Sequence, residues 1–194
     1  MDEVSYALGL SIGNNFLHSG IKDLHLADFS RGVDEALREV TPGIPYPHAK
    51  QLVNNLFTRL QMEHIDLNRR AGEEFLRVNR LKPGVKVLPS GLQYQILQHG
   101  EGKLPSANDK VKCHYHGTLV DGTVFDSSVE RGKPAVFGVS QVIKGWTEAL
   151  QKMPIGSKWR LFIPPHLAYG ERGAGELIGP HTTLIFDVEL LGIL

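Results

Sequence analysis

The chain has 194 residues, room for one large or two modest domains. A hydrophobic share of 41% is enough for a packed core and excludes wholesale disorder. Basic and acidic residues balance at 21 each, so no net charge draws the chain to nucleic acid or to an anionic membrane, and neither is expected as a partner.

The N-terminal part reads as helical. Val4, Ala7, Leu8, Ser11, Ile12 and Phe16 recur at three- and four-residue steps, and Gly20 marks a stop. Asp28 is the candidate N-cap of a second helix that carries Phe29, Val33, Ala36, Leu37 and Val40. Pro42, Gly43, Pro45 and Pro47 then punctuate the chain. From Pro47 to Leu81 no proline intervenes, and Ala49, Val53, Leu56, Leu60, His64, Leu67, Ala71, Phe75 and Val78 trace one stripe. A helix of about 34 residues is on the order of 50 Å long, the length of a coiled coil or of a spacer between two bodies. Glu63, Asp66, Asn68, Arg69, Arg70, Glu73 and Glu74 make its second half polar on most sides, which reads as a solvated face. Gly72 is a weak point within it, costing about 1 kcal/mol relative to alanine.

Lys82-Pro83-Gly84-Val85 breaks the helical pattern, and the period becomes two. Leu92, Tyr94 and Ile96 alternate with Gln93 and Gln95, and Val111, Cys113 and Tyr115 alternate with Lys112, His114 and His116. Asp121-Gly122 between two short apolar runs is a hairpin signal. Trp159, Leu161 and Ile163 alternate with Lys158, Arg160 and Phe162, and Leu184, Phe186, Val188 and Leu190 close the chain. The one helical piece here is short, from Gly145 to about Gln151. A curved antiparallel sheet packed on one short helix fits this pattern, so the fold class is α+β with helices first and sheet second.

No apolar run approaches the roughly 18–20 residues that cross a bilayer. Met1-Asp2-Glu3-Val4-Ser5-Tyr6-Ala7 lacks the basic start and apolar stretch of a secretory signal, so a cytoplasmic location is expected, with an exported form only if a signal has been removed. Cys113 is the sole cysteine, which precludes an intrachain disulfide and reads as a small core residue.

Most routes to chemistry are closed at the level of residue types. Cys113 points away from His114 and His116 on a strand, no CxxC or HExxH pairing exists, and no metal or other cofactor is called for. No G-x-S-x-G elbow occurs, Cys113 has no assigned base, and Ser127-Ser128 after Asp126 reads as a turn. Gly170-Glu171-Arg172-Gly173-Ala174-Gly175 precedes no helix and lacks a Lys-Ser/Thr ending, so it reads as a flexible rim loop rather than a phosphate cradle. What remains is an aromatic and aliphatic set that is either plain core or the lining of an apolar pocket.

Four stretches bear on that choice: Gly122-Thr123-Val124-Phe125-Asp126-Ser127-Ser128, Val142-Ile143-Lys144-Gly145-Trp146, Pro164-Pro165-His166-Leu167-Ala168-Tyr169-Gly170 and Thr183-Leu184-Ile185-Phe186-Asp187-Val188-Glu189-Leu190-Leu191. In this order they resemble the FKBP-type peptidyl-prolyl cis-trans isomerases, which bind tacrolimus and rapamycin. Ser5-Tyr6-Ala7-Leu8-Gly9 with Gly13, and Ala71-Gly72-Glu73-Glu74-Phe75-Leu76 leading into Val87-Leu88-Pro89-Ser90-Gly91-Leu92-Gln93-Tyr94, resemble the bacterial Mip-like and FklB-like subgroup.

The resemblance implies a helical dimerisation domain over 1–46, a long connecting helix over 47–83 and an FKBP-type isomerase domain over 84–194. It implies a homodimer through the N-terminal helices, prolyl-containing unfolded polypeptides as partners, and inhibitors of the rapamycin and tacrolimus type. It also implies the site. Tyr115, Phe125, Asp126, Tyr169 and Phe186 match catalytic positions; Arg131, Phe137, Val142, Ile143, Trp146, Leu177 and Ile178 match substrate-binding ones. Trp146 corresponds to the pocket floor, Val142 and Ile143 to the segment whose backbone N–H bonds a substrate carbonyl, and Asp126 to the one carboxylate at the edge. Ala135, Gln141 and Ala174 depart from the small human-type members at the pocket rim. The expected activity is rotation of X–Pro bonds during protein folding. The alternatives are a chaperone-like holdase that grips unfolded chains in the dimer cleft, and a prolyl-peptide binder without catalysis.

Overall fold

The computed structural model describes all residues, Met1–Leu194, and divides them into two compact units, Met1–His64 and Ile65–Leu194.

In the first unit, α1 (Glu3–His18) starts at Asp2, whose carboxylate accepts the Ser5 N–H at 2.8 Å and so satisfies one of the helix's orphan donors. The second helix, α2 (Leu26–Leu37), begins earlier than expected. His25 holds the N-cap position, and Asp28 lies in the first turn, where it pairs with His25 and Arg31 and favours the positive end of the helix dipole. Phe16 and Phe29 meet edge-on with centroids 5.5 Å apart. No residue of α1 or α2 is buried, and Val4, Leu8, Leu17, Leu26 and Leu37 are all exposed. The unit therefore presents apolar faces that its own chain does not cover.

Helix α3 (Tyr46–Asn79, 34 residues) runs through the boundary, and its buried face does not follow the expected stripe. Leu56 and Leu60 are half-buried in the first unit. In the second unit His64's successors on the stripe, Leu67, Ala71 and Val78, are exposed, whereas Gly72 and Asn79 are buried and Ile65, Asn68, Phe75 and Leu76 are half-buried. The contact surface decides this. Phe75 meets Phe162 at 5.8 Å between centroids. Asn79 Nδ2 donates to Gln93 Oε1 at 3.0 Å, and Gln93 Nε2 donates to the Leu76 carbonyl at 2.9 Å. A Cβ on Gly72 would overlap the Thr183 hydroxyl, so the helix approaches the sheet by having no side chain there. Gly72 is a contact point rather than a weak point, and Asn68 is not wholly solvated.

The rest of the second unit is one antiparallel sheet of seven strands. These are β1 (Val85–Val87), β2 (Gln93–Gln98), β3 (Lys110–Leu119), β4 (Val124–Ser127), β5 (Ala135–Gly138), β6 (Lys158–Ile163) and β7 (Leu184–Ile193). Their order is β1-β2-β6-β7-β3-β4, with β5 also paired to β3. The first residues of β3 pair with β5 (Lys110 to Cys113) and its last with β4 (His116 to Thr118), while β7 runs along nearly its whole length.

One face of the sheet buries Val111, Cys113, Leu161, Ile163, Leu184, Val188 and Leu190, all fully shielded from solvent. Against it packs α4 (Lys144–Leu150), which buries Trp146, Ala149 and Leu150. Cys113 lies in this core, where burial pushes its thiol up to about 12, far from a thiolate nucleophile at neutral pH. His114 and His116 face the other way, towards Ser128 Oγ and Ser127 Oγ, each at 3.0 Å. Phe162, assigned to the polar face by alternation, is buried as well, because α3 covers that side.

We expect Asn79→Ala to destabilise the second unit by about 1–3 kcal/mol in urea unfolding, because Gln93 Oε1 would be left buried without its donor. A loss below about 0.5 kcal/mol would show that this pair does not hold the helix to the sheet.

Candidate active site

The inward alternation of β3 places Tyr115 beside the core but nearer the end of the strand where β4 pairs. Beyond it stands Gly117. A Cβ there would lie 2.7 Å from the Phe125 ring and 2.9 Å from the Phe186 ring. The missing side chain lets both rings fold over the strand, and they meet each other edge-on at 5.3 Å. From the other side α4 delivers Trp146. Its indole receives Tyr115, Phe137 and Phe186 edge-on, at 5.5, 5.7 and 5.3 Å between centroids. Rings packed by their edges support one another without filling the space above them.

That space is a hollow of about 710 Å³. Phe125 and Asp126 of β4, Phe137 of β5, Val142 and Ile143 before α4, and Tyr169, Leu177 and Ile178 of the loop between β6 and β7 border it with Tyr115, Trp146 and Phe186. Every residue expected at the site except Arg131 thus lines one cavity. Arg131 stands behind the wall and bonds Asp126 and Tyr115.

Sequence reasoning passed over Glu176, which also borders the hollow, placed Ala174 and Gly175 within a rim loop, and took Gln141 and Ala174 as departures from a pattern. The loop was flagged by its glycines, but nothing in the spacing tells which of its side chains turn inward. Ala135 is not at the rim. It pairs with Cys113 on β5 and packs against the core. The Gly170–Gly175 stretch is also more tied than a slack rim. Ala174 N–H donates to the Ile178 carbonyl at 2.7 Å, and Ile178 N–H returns a bond to Ala174 at 3.2 Å.

Among the rings the polar equipment is small and already engaged, whereas Gln141, Tyr169 and Glu176 border the hollow with unbonded side chains. Asp126 accepts the Tyr115 hydroxyl at 2.5 Å and is paired with Arg131 Nη1, while Arg131 Nη2 donates to the Tyr115 oxygen at 2.8 Å. Burial alone would raise the Asp126 carboxyl, but the hydrogen bonds from Tyr115 and Arg131 outweigh it and hold the group below the ordinary carboxylate value. Burial, and then the bond to Asp126, push the Tyr115 phenol up against the opposing pull of Arg131. Near neutrality this leaves a charged carboxylate, a neutral phenol and a charged guanidinium, none of the three poised to exchange a proton. Ser128 holds the backbone from below: its Oγ accepts Tyr115 N–H at 2.8 Å.

Comparison with known proteins bears on this geometry. Residues 101–191 match the family described as FKBP-type peptidyl-prolyl cis-trans isomerase, and residues 1–96 match the domain amino-terminal to it. The FKBP-type 22 kDa peptidyl-prolyl cis-trans isomerase of Escherichia coli is 44% identical over 99% of this chain and 95% of its own length. The chain belongs to the FKBP-type peptidyl-prolyl cis-trans isomerases. The isomerase is also 43% identical to the outer membrane protein MIP of Legionella longbeachae, across 99% of this chain and 85% of that protein. Among solved structures, FkpA from Escherichia coli matches with a TM-score of 0.79 at 34% identity, covering 98% of this chain and 95% of that one. A peptidyl-prolyl isomerase from Pseudomonas syringae matches with a TM-score of 0.62 at 44% identity, over 66% of this chain.

Trp146 is only 4% exposed and touches three rings of the isomerase pocket. Trp146→Ala is expected to cost about 3–5 kcal/mol of stability in denaturant unfolding. A measured loss below about 1 kcal/mol would contradict its place as the support of the pocket floor.

Proposed function

We propose that the isomerase speeds rotation about X–Pro bonds by taking the prolyl bond out of water into the aromatic hollow. The observation that carries this reading is a cavity lined mostly by rings and aliphatic side chains, in which the carboxylate among the rings, Asp126, is already bonded to Tyr115 and Arg131. Rotation has to break amide resonance, which sets a barrier of about 18–20 kcal/mol. The planar ground state is the more charge-separated form, and water stabilises it. Exclusion of water from the twisted bond therefore lowers the hurdle, and donors that fit only the twisted form lower it further. No covalent intermediate is needed.

In this reading Trp146 is the floor under the proline ring, with Tyr115, Phe125, Phe137 and Phe186 as walls. Ile143 is the N-cap of α4 and no side chain caps that end, which favours the Val142–Ile143 backbone as the donor to a substrate carbonyl. Tyr169 offers a hydroxyl at the mouth, and Leu177 and Ile178 flank it. Asp126 orients Tyr115 and Arg131 instead of moving a proton. The cavity suits a prolyl segment of an unfolded polypeptide, and a macrocycle of the rapamycin or tacrolimus type would compete for the same walls.

The uncovered apolar faces of α1 and α2 favour a homodimer through the N-terminal helices, since a partner chain would bury them. We assign dimerisation to residues 1–46 and the reaction to 84–194, with α3 as the connection; its second half packs with the reacting domain. No observation ranks chaperone-like holding above isomerisation. The cytoplasmic location expected from the sequence gains no support from the relatives, one of which is named an outer membrane protein.

A protease-free assay on a prolyl tetrapeptide tests the reading. Asp126 is held low, so its charge persists above its lowered value and is lost only as pH falls through it; Tyr115 is held high and stays protonated well into the alkaline range. The expected kcat/KM is therefore flat between about pH 6 and 9. A bell centred near neutrality would point to general acid–base chemistry instead. Asp126→Ala, by removing the acceptor of two charge-assisted bonds, is expected to lower kcat/KM by about tenfold; an unchanged value would refute the orienting role given to Asp126. In light scattering at micromolar concentration the protein is expected at twice the mass of one chain, and a single-chain mass would refute the dimer.

A further inference from the structure

The second half of α3 touches the loop that forms one wall of the pocket. Asn68 Nδ2 donates to the Pro180 carbonyl at 3.1 Å. One turn further along the same face, Gly72 is buried against Thr183. Pro180 and Thr183 both lie in the last residues of the loop between β6 and β7, just before β7 begins at Leu184.

Between them lies His181, a non-glycine residue in the left-handed region at φ 56°. Such a conformation persists only where its surroundings fix it. Its N–H donates to the Gly170 carbonyl at 2.8 Å, which ties the end of the loop to the residue after Tyr169. A second tie, the paired bonds between Ala174 and Ile178, closes the segment that carries Leu177 and Ile178 to the cavity. Hydrogen bonds and the backbone between them thus lead from the helix, through Pro180 and His181, to Gly170 beside Tyr169.

We propose that Asn68 and Gly72 are positioning residues of the isomerase site. The helix grips the Pro180–Thr183 end of the loop and, through the bond from His181 to Gly170, fixes where Tyr169, Leu177 and Ile178 stand. Neither Asn68 nor Gly72 borders the hollow. The inference rests on the isomerase reading of that hollow. Gly72 is required because a Cβ would overlap Thr183 Oγ1 and lie 3.1 Å from Thr183 Cβ. The helix would have to back away, and Asn68 would lose its carbonyl. Thr183 Oγ1 is buried with no hydrogen-bond partner, so its removal sacrifices no bond and opens room for a methyl group.

The test uses the full-length protein with Asn68→Ala, Asn68→Asp, Gly72→Ala and the double variant Gly72→Ala/Thr183→Ala. Two readouts are taken: kcat and KM on two prolyl tetrapeptides that differ in the residue before proline, and hydrogen exchange at the His181 amide. Asn68→Ala, Asn68→Asp and Gly72→Ala are expected to lower kcat/KM by about three- to tenfold, mainly through KM, and to change the ratio between the two peptides. Exchange at His181 should quicken in each. Thr183→Ala in the Gly72→Ala background should restore most of both. Variants with a lower Tm but unchanged KM, peptide ratio and His181 exchange would overturn the proposal and leave a purely structural contact. Asn68→Ala keeps the test decisive should Gly72→Ala fail to fold. A wild-type protein without isomerase activity would overturn the reading of the pocket and this inference with it; an active wild type indifferent to Asn68→Ala would overturn the positioning role alone.

Discussion

The edge-on seating of Tyr115, Phe137 and Phe186 against the Trp146 indole is the contact around which the second unit is arranged. Aromatic quadrupoles favour this geometry, and each such pair adds about 0.5–1.5 kcal/mol beyond the area it buries. Its consequence is spatial as much as energetic. Face-to-face rings or interleaved aliphatic chains would close the core over, as they do a few residues away around Leu161, Ile163 and Leu190. An edge-to-face contact covers only part of each ring, and the part left over lines the hollow. Gly117 belongs to the same device, since any larger residue would push Phe125 and Phe186 off the strand.

The polar group at the edge follows from the same constraint. A tyrosine whose ring serves as wall brings a hydroxyl into a poorly hydrated place, and an unpaired hydroxyl there is costly. Asp126 and Arg131 satisfy it; their opposite charges cancel, and the phenol between them stays neutral. The arrangement is well suited to fixing geometry and poorly suited to proton transfer. It matches a reaction whose barrier lies in amide resonance.

Much of this was legible in the sequence where the physics is local. Period-two alternation identified β3, β6 and β7 and the inward residues Cys113, Tyr115, Leu161 and Phe186, because one face of each strand is core. The pocket residues came from the order of short motifs rather than from periodicity, which cannot distinguish a lining ring from a core ring. The misses share a cause: they concern contacts between segments far apart in the chain. Phe162 and Gln93 are buried on the outer face only because α3 lies there. The apolar stripe continued past His64 on paper, but the sheet receives Gly72 and Asn79, a glycine and an amide that no hydrophobic pattern selects. Asp28 was a plausible cap by type; His25 occupies the position because the helix begins one turn sooner.

The long helix thus belongs to both halves of the chain in packing as well as in sequence, and the cavity is where we place the reaction. The most direct measurement is the rate of cis–trans exchange of a prolyl tetrapeptide followed without a coupling protease, first alone, then with the protein, then with protein saturated by rapamycin. If the unfilled aromatic hollow is what excludes water from the twisting bond, exchange is accelerated by the protein and returns to the uncatalysed rate once the macrocycle occupies the walls. Acceleration that survives a saturated cavity would place the reaction elsewhere on the molecule, and no acceleration at all would contradict the role assigned to the hollow.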